Sequence, residues 1–179
     1  MNAREQATQY LEKELKLKVN QEKSTIVHSD EGVSFLGVVI FTKFTLIQED
    51  KLKRFKDRVR KMTRRNSPVN MEKVIAELNP VSRGFANYFR IANCSKQFFK
   101  LAQWIRRRLR VKQLALWKNP RKLRRRLRQL GYDVTVESIK MKSWGSASSA
   151  LANMALPNRC FTELGLFDLG LVKTGIPVS

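Results

Sequence analysis

The side chains best able to carry a function in this sequence are arginines, and they are concentrated in one part of the chain. Residues 78–132 contain sixteen Lys and Arg and no Asp or Glu. Residues 51–65 add nine basic residues around a single acid, Asp57. A guanidinium donates paired hydrogen bonds to phosphate and stacks on exposed bases, so this pattern predicts contacts with nucleic acid. The candidate contact residues are Arg83, Arg90, Arg106, Arg107, Arg110, Arg121, Arg124, Arg125, Arg126 and Arg128.

The length of the acid-free region distinguishes a binding surface from an ordinary solvated helix face. A short basic run fits either interpretation about equally well. Helix faces usually place Glu within one turn of Lys, and that internal compensation is missing from residues 78–132. The like charges therefore require an external polyanion. Two positions keep a structural alternative, because Arg83 could tether helices to each other and Asn79 could cap a helix.

The residue types that catalyse reactions or bind metals form no recognisable set. His28 is the only histidine, and Cys94 and Cys160 are too far apart for a C-x-x-C zinc motif. Asp30 and Glu31 are adjacent and lie in a predicted turn, whereas two-metal phosphoryl transfer needs carboxylates that converge on one place. We therefore expect no catalytic residue, no metal site, no cofactor and no small-molecule substrate. Both cysteines are expected in the hydrophobic core.

Composition limits the class of protein. The chain has 179 residues, 42% of them hydrophobic, and a formal net charge of +21. This is enough apolar material for a packed core in one or two small domains. No apolar run has the length of a membrane span, and the first residues do not resemble a signal peptide. The expected location is the cytoplasm, and the expected partner is nucleic acid, with an anionic membrane surface a distant second.

The elements that must position these arginines are mostly helical. Hydrophobic periodicity predicts a mainly α fold, preceded by a small α+β part with a β-hairpin. Strands are predicted over 24–28, 33–41 and 45–47. Helices are predicted over 3–16, 49–65, 71–78, 80–93, 96–117, 121–130, 136–141 and 147–156. We predict two helices, 71–78 and 80–93, instead of one because proline is expected near the first turn of a helix and Pro80 would lie there in the second.

Three stretches, in order, resemble reverse transcriptases encoded by bacterial group II introns. Residues 15–24 (LKLKVNQEKS) with Phe35-Leu36-Gly37 resemble the end of the palm. Residues 78–89 (LNPVSRGFANYF) resemble the signature of the maturase-specific domain, and Trp104 to Leu109 continue the match. Three further stretches resemble the C-terminal tail of the family, namely Ser143-Trp144-Gly145, residues 153–158 and residues 164–169.

The resemblance implies a helical thumb, or maturase X domain, that binds folded intron RNA and, in the intact enzyme, an RNA–DNA hybrid of primer and template. Lys23, Asn79 and Asn87 match residues of the family motifs. Phe85 stands where the family usually has Trp. The Y-A-D-D motif and the Mg²⁺ that it binds in the intact enzyme belong to a region upstream of the residue that matches Met1. Polymerase activity is therefore not implied for this chain.

The predicted organisation is a palm end over residues 1–48, a thumb and maturase X domain over 49–118 and a basic C-terminal helical region over 119–179. One hypothesis is an RNA-binding maturase that assists splicing and retrotransposition. The alternative is an inactive piece of a polymerase that needs the missing fingers and palm. A basic membrane-surface or ribosome-associated protein is a third.

Overall fold

The computed structural model describes residues 3–20, 27–117, 119–129, 131 and 150–175, and long helices dominate it. The helices are α1 (Ala3–Lys13), α2 (Glu49–Met62), α3 (Met71–Phe89), α4 (Ser95–Leu116), α5 (Pro120–Gln129), α6 (Ala150–Ala155) and α7 (Asn158–Glu163). The strands are β1 (Val33–Phe35), β2 (Val38–Ile40) and β3 (Thr45–Ile47), and single 3₁₀ turns occupy Ser29–Glu31 and Leu169–Leu171. The predicted fold class, mainly α with a small α+β part, is confirmed.

The three strands form an antiparallel sheet in the order β1-β2-β3. The single strand predicted over residues 33–41 is wrong, because Leu36 and Gly37 make a tight turn between β1 and β2. Both residues have positive φ, 48° and 84°, as the hairpin turn of type I′ requires. A leucine is strained in this region, and Tyr88 stabilises the turn by donating a hydrogen bond to the Leu36 carbonyl at 3.0 Å. The predicted strand over 24–28 falls largely outside the described residues.

Helix α2 follows the sequence pattern closely. Glu49 and Asp50 lie in its first turn and Arg60 and Lys61 in its last, which complements the helix dipole at both ends. Phe55 and Val59 are buried and Leu52 and Met62 pack beside them, so the apolar residues of α2 lie on one face of the helix.

Helix α3 runs through Pro80 without a break, so the two helices predicted over 71–78 and 80–93 are one. Asn70 is its N-cap, and its side chain accepts a hydrogen bond from the Lys73 amide at 3.0 Å. An interior proline costs a helix about 3 kcal/mol. Here Leu78 and Ser82 are buried on either side of an exposed Pro80, and the packing of this face outweighs that cost.

Helix α4 is the centre of the core. Phe98, Ile105 and Leu109 are buried along it, and the C-terminal 3₁₀ turn packs against it. Helices α4 and α5 match the predicted ranges to within one residue at each end. Gly131 ends α5 with φ of 75°, and its amide donates to the Arg128 carbonyl. The helix predicted over 136–141 lies outside the described residues. Of the one predicted over 147–156, residues 147–149 lie outside them as well, and the described part contains α6.

We call residues 164–172 the C-terminal segment. It follows α7 and reaches α3 and α4, with Leu169 fully buried. Phe161, just before it, is also buried, so residues beyond α5 complete the core. Within the described ranges, no helix combines the length and apolar character needed to cross a membrane.

Both cysteines are free thiols in the core, as expected. Cys94 is 1% exposed, and its thiol donates to the Phe89 carbonyl at 3.4 Å. Burial raises the pKa of the Cys94 thiol to about 11, from an ordinary value of 9.0. In the folded chain the thiol therefore stays protonated at a pH where the unfolded chain would ionise it.

We expect this thiol to reduce stability at alkaline pH. Between pH 9 and pH 11 the unfolded state releases the Cys94 proton and the folded state retains it, so stability falls as pH rises. The loss should be roughly 2–3 kcal/mol in the free energy of unfolding. Urea unfolding with reductant, repeated across this pH range, measures it. The Cys94→Ala variant should lose less stability than the parent chain, and identical pH profiles would contradict the assignment.

Gly84 lies in the interior of α3, yet a β-carbon there would have no heavy atom within 4 Å. Glycine weakens a helix interior relative to alanine, and no described residue lies close enough to require it here. We expect Gly84→Ala to raise the free energy of unfolding by about 0.5–1 kcal/mol. Thermal and urea unfolding of the variant measure this gain. A loss of stability would contradict this prediction, because it would mean that the folded chain does not accommodate a β-carbon at position 84.

Candidate nucleic-acid interface

Helix α5 presents the densest basic surface. Leu123 and Leu127 are each 1% exposed and anchor the helix to the core. The arginines around them divide by exposure: Arg124 is half-buried, and the exposed ones are Arg121, Arg125, Arg126 and Arg128. Within the described part of the chain, no salt bridge involves these four exposed arginines. Their charge is therefore available to an external anion.

A second basic surface borders a groove between α2 and α3 with a volume of about 470 Å³. Its rim carries Lys51, Arg54 and Arg58, and Gly84 lies on its wall. Aromatic rings form the floor, where the centroids of Phe55 and Phe85 are 4.1 Å apart. Phe85 therefore keeps the aromatic packing expected of the family tryptophan.

The predicted residues of α3 separate into two groups. Asn79 faces the C-terminal segment: its Nδ2 donates to the Gly165 carbonyl and its Oδ1 accepts from the Phe167 amide, each at 2.8 Å. The N-cap interpretation of Asn79 is therefore wrong, because the residue lies in the middle of a helix. The Arg83 guanidinium lies 5.2 Å from the Phe167 ring centroid, which favours its alternative role as a tether.

Further along α3, the side chains of Asn87 and Arg90 are exposed, as a nucleic-acid contact needs. The two aromatic residues between them differ in burial, and Phe89, which is 5% exposed, belongs to the core. Tyr88 is 56% exposed and holds the Leu36 turn through its hydroxyl group. The signature and the Phe35-Leu36-Gly37 motif are thus in direct contact.

The predicted arginines of α4 do not share one surface. Arg107 is exposed, but Arg106 Nη1 donates to Asp168 Oδ2 at 2.7 Å. Arg110 is 4% exposed, and its Nε and Nη2 donate to the Leu156 carbonyl and Asn158 Oδ1, each at 2.8 Å. Burial, reinforced by the neighbouring arginines, lowers the pKa of Arg110. Arg110 therefore lies in the interior, not where a phosphate would reach it, and it helps to hold α4 against the chain that follows α6.

Two cations that the sequence analysis did not single out fasten α4 to the loop between α2 and α3. Lys112 is fully buried, and its Nζ donates to the Ser67 carbonyl at 2.7 Å. Arg108 Nε donates to Thr63 Oγ1 at the same distance. Burial lowers the pKa of both side chains. Lys112 continues the apolar stripe of α4 three residues after Leu109, and that spacing was the available signal for its burial.

Metal chemistry has no visible basis in the described residues, where no three or more His, Cys, Asp and Glu side chains form a group able to hold a metal ion. His28 is exposed and lies 3.4 Å from Asp30, as expected for a surface residue. Lys23 falls outside the described residues.

The fold and its surfaces define a basic helical domain with one strongly cationic helix and a C-terminal segment that completes its core. Residues 52–131 match the family model of the group II intron, maturase-specific domain. The matched residues extend from the first turn of α2 to just beyond the end of α5. This match confirms the predicted resemblance to the maturase part of a group II intron reverse transcriptase. No curated protein matches the chain.

Proposed function

We propose that this chain binds structured group II intron RNA and assists its splicing. The observation that carries this proposal is the surface of α5, where exposed arginines that have no acidic partner among the described residues lie within the stretch that matches the maturase-specific domain. Arg90 and Arg107 add exposed cations on α3 and α4. These three helices carry the RNA contacts in this proposal. Arg106 instead positions the C-terminal segment through Asp168, and Arg110 holds α4 against Leu156 and Asn158.

The chain acts by binding in this proposal. Guanidinium groups neutralise phosphates and displace condensed counterions, which lowers the repulsion between RNA helices that must pack together. Structured RNA is recognised mainly by its shape and its backbone, which suits a dense arginine surface. The chain needs no cofactor of its own for this role, and it acts in the cytoplasm. In the intact family protein the same domain would also bind the primer–template duplex during retrotransposition.

The alternative function is that of a polymerase part that becomes active only with fingers and palm. The specific observation in its favour is apolar exposure near the N-terminus, where Tyr10, Leu15 and Leu17 are each at least half exposed. Phe35 and Leu36 extend this exposure to the sheet. Supplying a fingers and palm polypeptide and assaying RNA-directed DNA synthesis tests the alternative. Synthesis that appears only in the mixture supports it.

The salt dependence of RNA binding tests the proposed function. If the four exposed arginines of α5 each neutralise one phosphate, the logarithm of affinity should fall with the logarithm of salt concentration with a slope of about −3 or steeper. Filter binding of intron RNA over a salt series measures the slope. A splicing assay at limiting Mg²⁺, with and without the chain, measures the assistance. A flat salt response would overturn the proposal.

A further inference from the structure

A cleft of about 410 Å³ opens beside α4, where that helix faces α6 and α7. Three arginines of α4 line it at different depths, since Arg107 is exposed, Arg106 is partly buried and Arg110 is almost fully buried. Among the described residues, no Asp or Glu lines this cleft. The cleft therefore has a cationic lining, and its volume is sufficient for a small ligand.

The charges of these arginines are only partly compensated within the described chain. Arg106 is paired with Asp168. Arg107 makes no ion pair or hydrogen bond with any described residue, and the hydrogen bonds of Arg110 go to neutral oxygens. Burial, and after it the charges of Arg106 and Arg107, lower the pKa of Arg110, as expected where cations repel one another. An anion in the cleft would relieve this repulsion.

Phe99 adds an aromatic ring to the same cleft, and it is 51% exposed. One edge of the ring lies close to the C-terminal segment, because a β-carbon at Gly170 would be 3.4 Å from Phe99 Cδ2. This neighbour limits how far the ring can turn and leaves the rest of it accessible. Exposed rings beside cations are the combination with which proteins bind single-stranded nucleic acid, since the cations attract phosphates and the ring stacks on a base.

We propose that this cleft binds one nucleotide in a single-stranded segment of the bound RNA, an inference that rests on the proposed function. Phe99 stacks on the base, and the guanidinium of Arg107 binds the adjacent phosphate. Arg110 lies too deep to touch the phosphate, but its charge attracts it. Asn158 uses its side-chain oxygen to accept from Arg110, which leaves its amide nitrogen as a second donor to the phosphate.

This site differs from the α5 surface in what it recognises. The arginines of α5 contact phosphates, which paired and unpaired RNA both present. The ring of Phe99 can stack only on a base that is not already stacked inside a duplex. Because every base has a flat face, the cleft selects single strands without selecting one base over another. The chain therefore contacts an unpaired segment of the RNA in addition to its folded helices.

The test compares a short uridine oligomer, an abasic oligomer of the same length and a short RNA duplex, by fluorescence anisotropy with the full chain. We expect Phe99→Ala to weaken binding of the uridine oligomer about tenfold, the effect of one lost stack, and to leave the other two affinities unchanged. Phe99→Trp keeps a ring and should retain the affinity of the parent chain. Arg107→Gln should weaken both oligomers alike, since both keep their phosphates. Phe99 is half exposed, so its variants should fold, which circular dichroism checks.

Phe35→Ala is the matched control, since Phe35 is 59% exposed and lies in β1, outside the cleft. It should leave all three affinities unchanged. Free UMP should compete only weakly, and UMP that binds more tightly than the uridine oligomer would overturn the assignment to an RNA strand. An unchanged affinity of Phe99→Ala for the uridine oligomer, with steep salt dependence, would overturn this site and leave the proposed function intact. A flat salt response with every RNA would instead overturn the proposed function.

Discussion

Replacing Arg121, Arg125 and Arg128 together with glutamine is expected to lower the affinity for intron RNA by about 100-fold. The three side chains are exposed and follow one another at spacings of four and three residues, so they share one face of α5. Each lost phosphate contact should cost about 1 kcal/mol, and three of them give about two powers of ten. The slope of the salt dependence should also become shallower by about 2. Filter binding over a salt series measures both quantities.

The matched control removes the same charge elsewhere. Lys13, Lys16 and Lys18 are exposed and lie outside the residues that match the maturase-specific domain. Their replacement with glutamine should change RNA affinity much less than the arginine variant does. Circular dichroism should show that both triple variants remain folded, because neither set is buried. Equal losses of affinity in the two variants would show that net charge, and not the surface of α5, determines binding.

Leu169→Ala should reduce the free energy of unfolding by about 2–5 kcal/mol, the usual cost of truncating a fully buried leucine. Leu169 is 0% exposed and lies in the 3₁₀ turn that packs against α4. Asp168 begins this turn, accepting from the Gly170 amide while it also binds Arg106. These two contacts of Asp168 hold the turn against α4 and so keep Leu169 in its buried position. Urea unfolding followed by circular dichroism measures the loss.

The same turn supplies the control for this prediction. Leu171, two residues later, is 83% exposed, and Leu171→Ala should change stability by no more than about 0.5 kcal/mol. The two variants make the same chemical change in neighbouring positions and differ only in burial. A similar small effect of both would mean that the C-terminal segment contributes little to the folded state.

The helices could be predicted from the sequence because their apolar residues repeat at helical spacing. Phe55 and Val59 in α2 and Phe98, Ile105 and Leu109 in α4 are buried as that spacing requires. Predictions made from neighbouring residues alone were wrong at two places, where tertiary packing or an unusual turn determines the backbone conformation. Pro80 favours a break by local rules, yet the helix continues through it because residues on its other face are buried. Leu36-Gly37 lacks the Asn-Gly pair that usually marks a two-residue turn.

The candidate interface was harder to predict than the helices. The density of charge in the sequence correctly indicated that α5 is a basic helix. It could not distinguish arginines that are exposed from arginines whose side chains bind other residues of the same chain. Arg106 and Arg110 carry the same side chain as Arg107, and their partners, Asp168 and Asn158, lie some fifty to sixty residues away in sequence.

The paired hydrogen bonds of Asn79 also constrain when the domain can finish folding. They join α3 to backbone groups at residues 165 and 167, across 86 and 88 positions of the sequence. Contacts over such separations form late, because a long loop must close before they contribute. On the ribosome, α3 and α4 emerge well before residues 165–171, so the core face that Leu169 covers stays open until synthesis passes that point. During this interval the unfinished domain presents both apolar surface and a cationic helix to whatever is nearby, including its own messenger RNA.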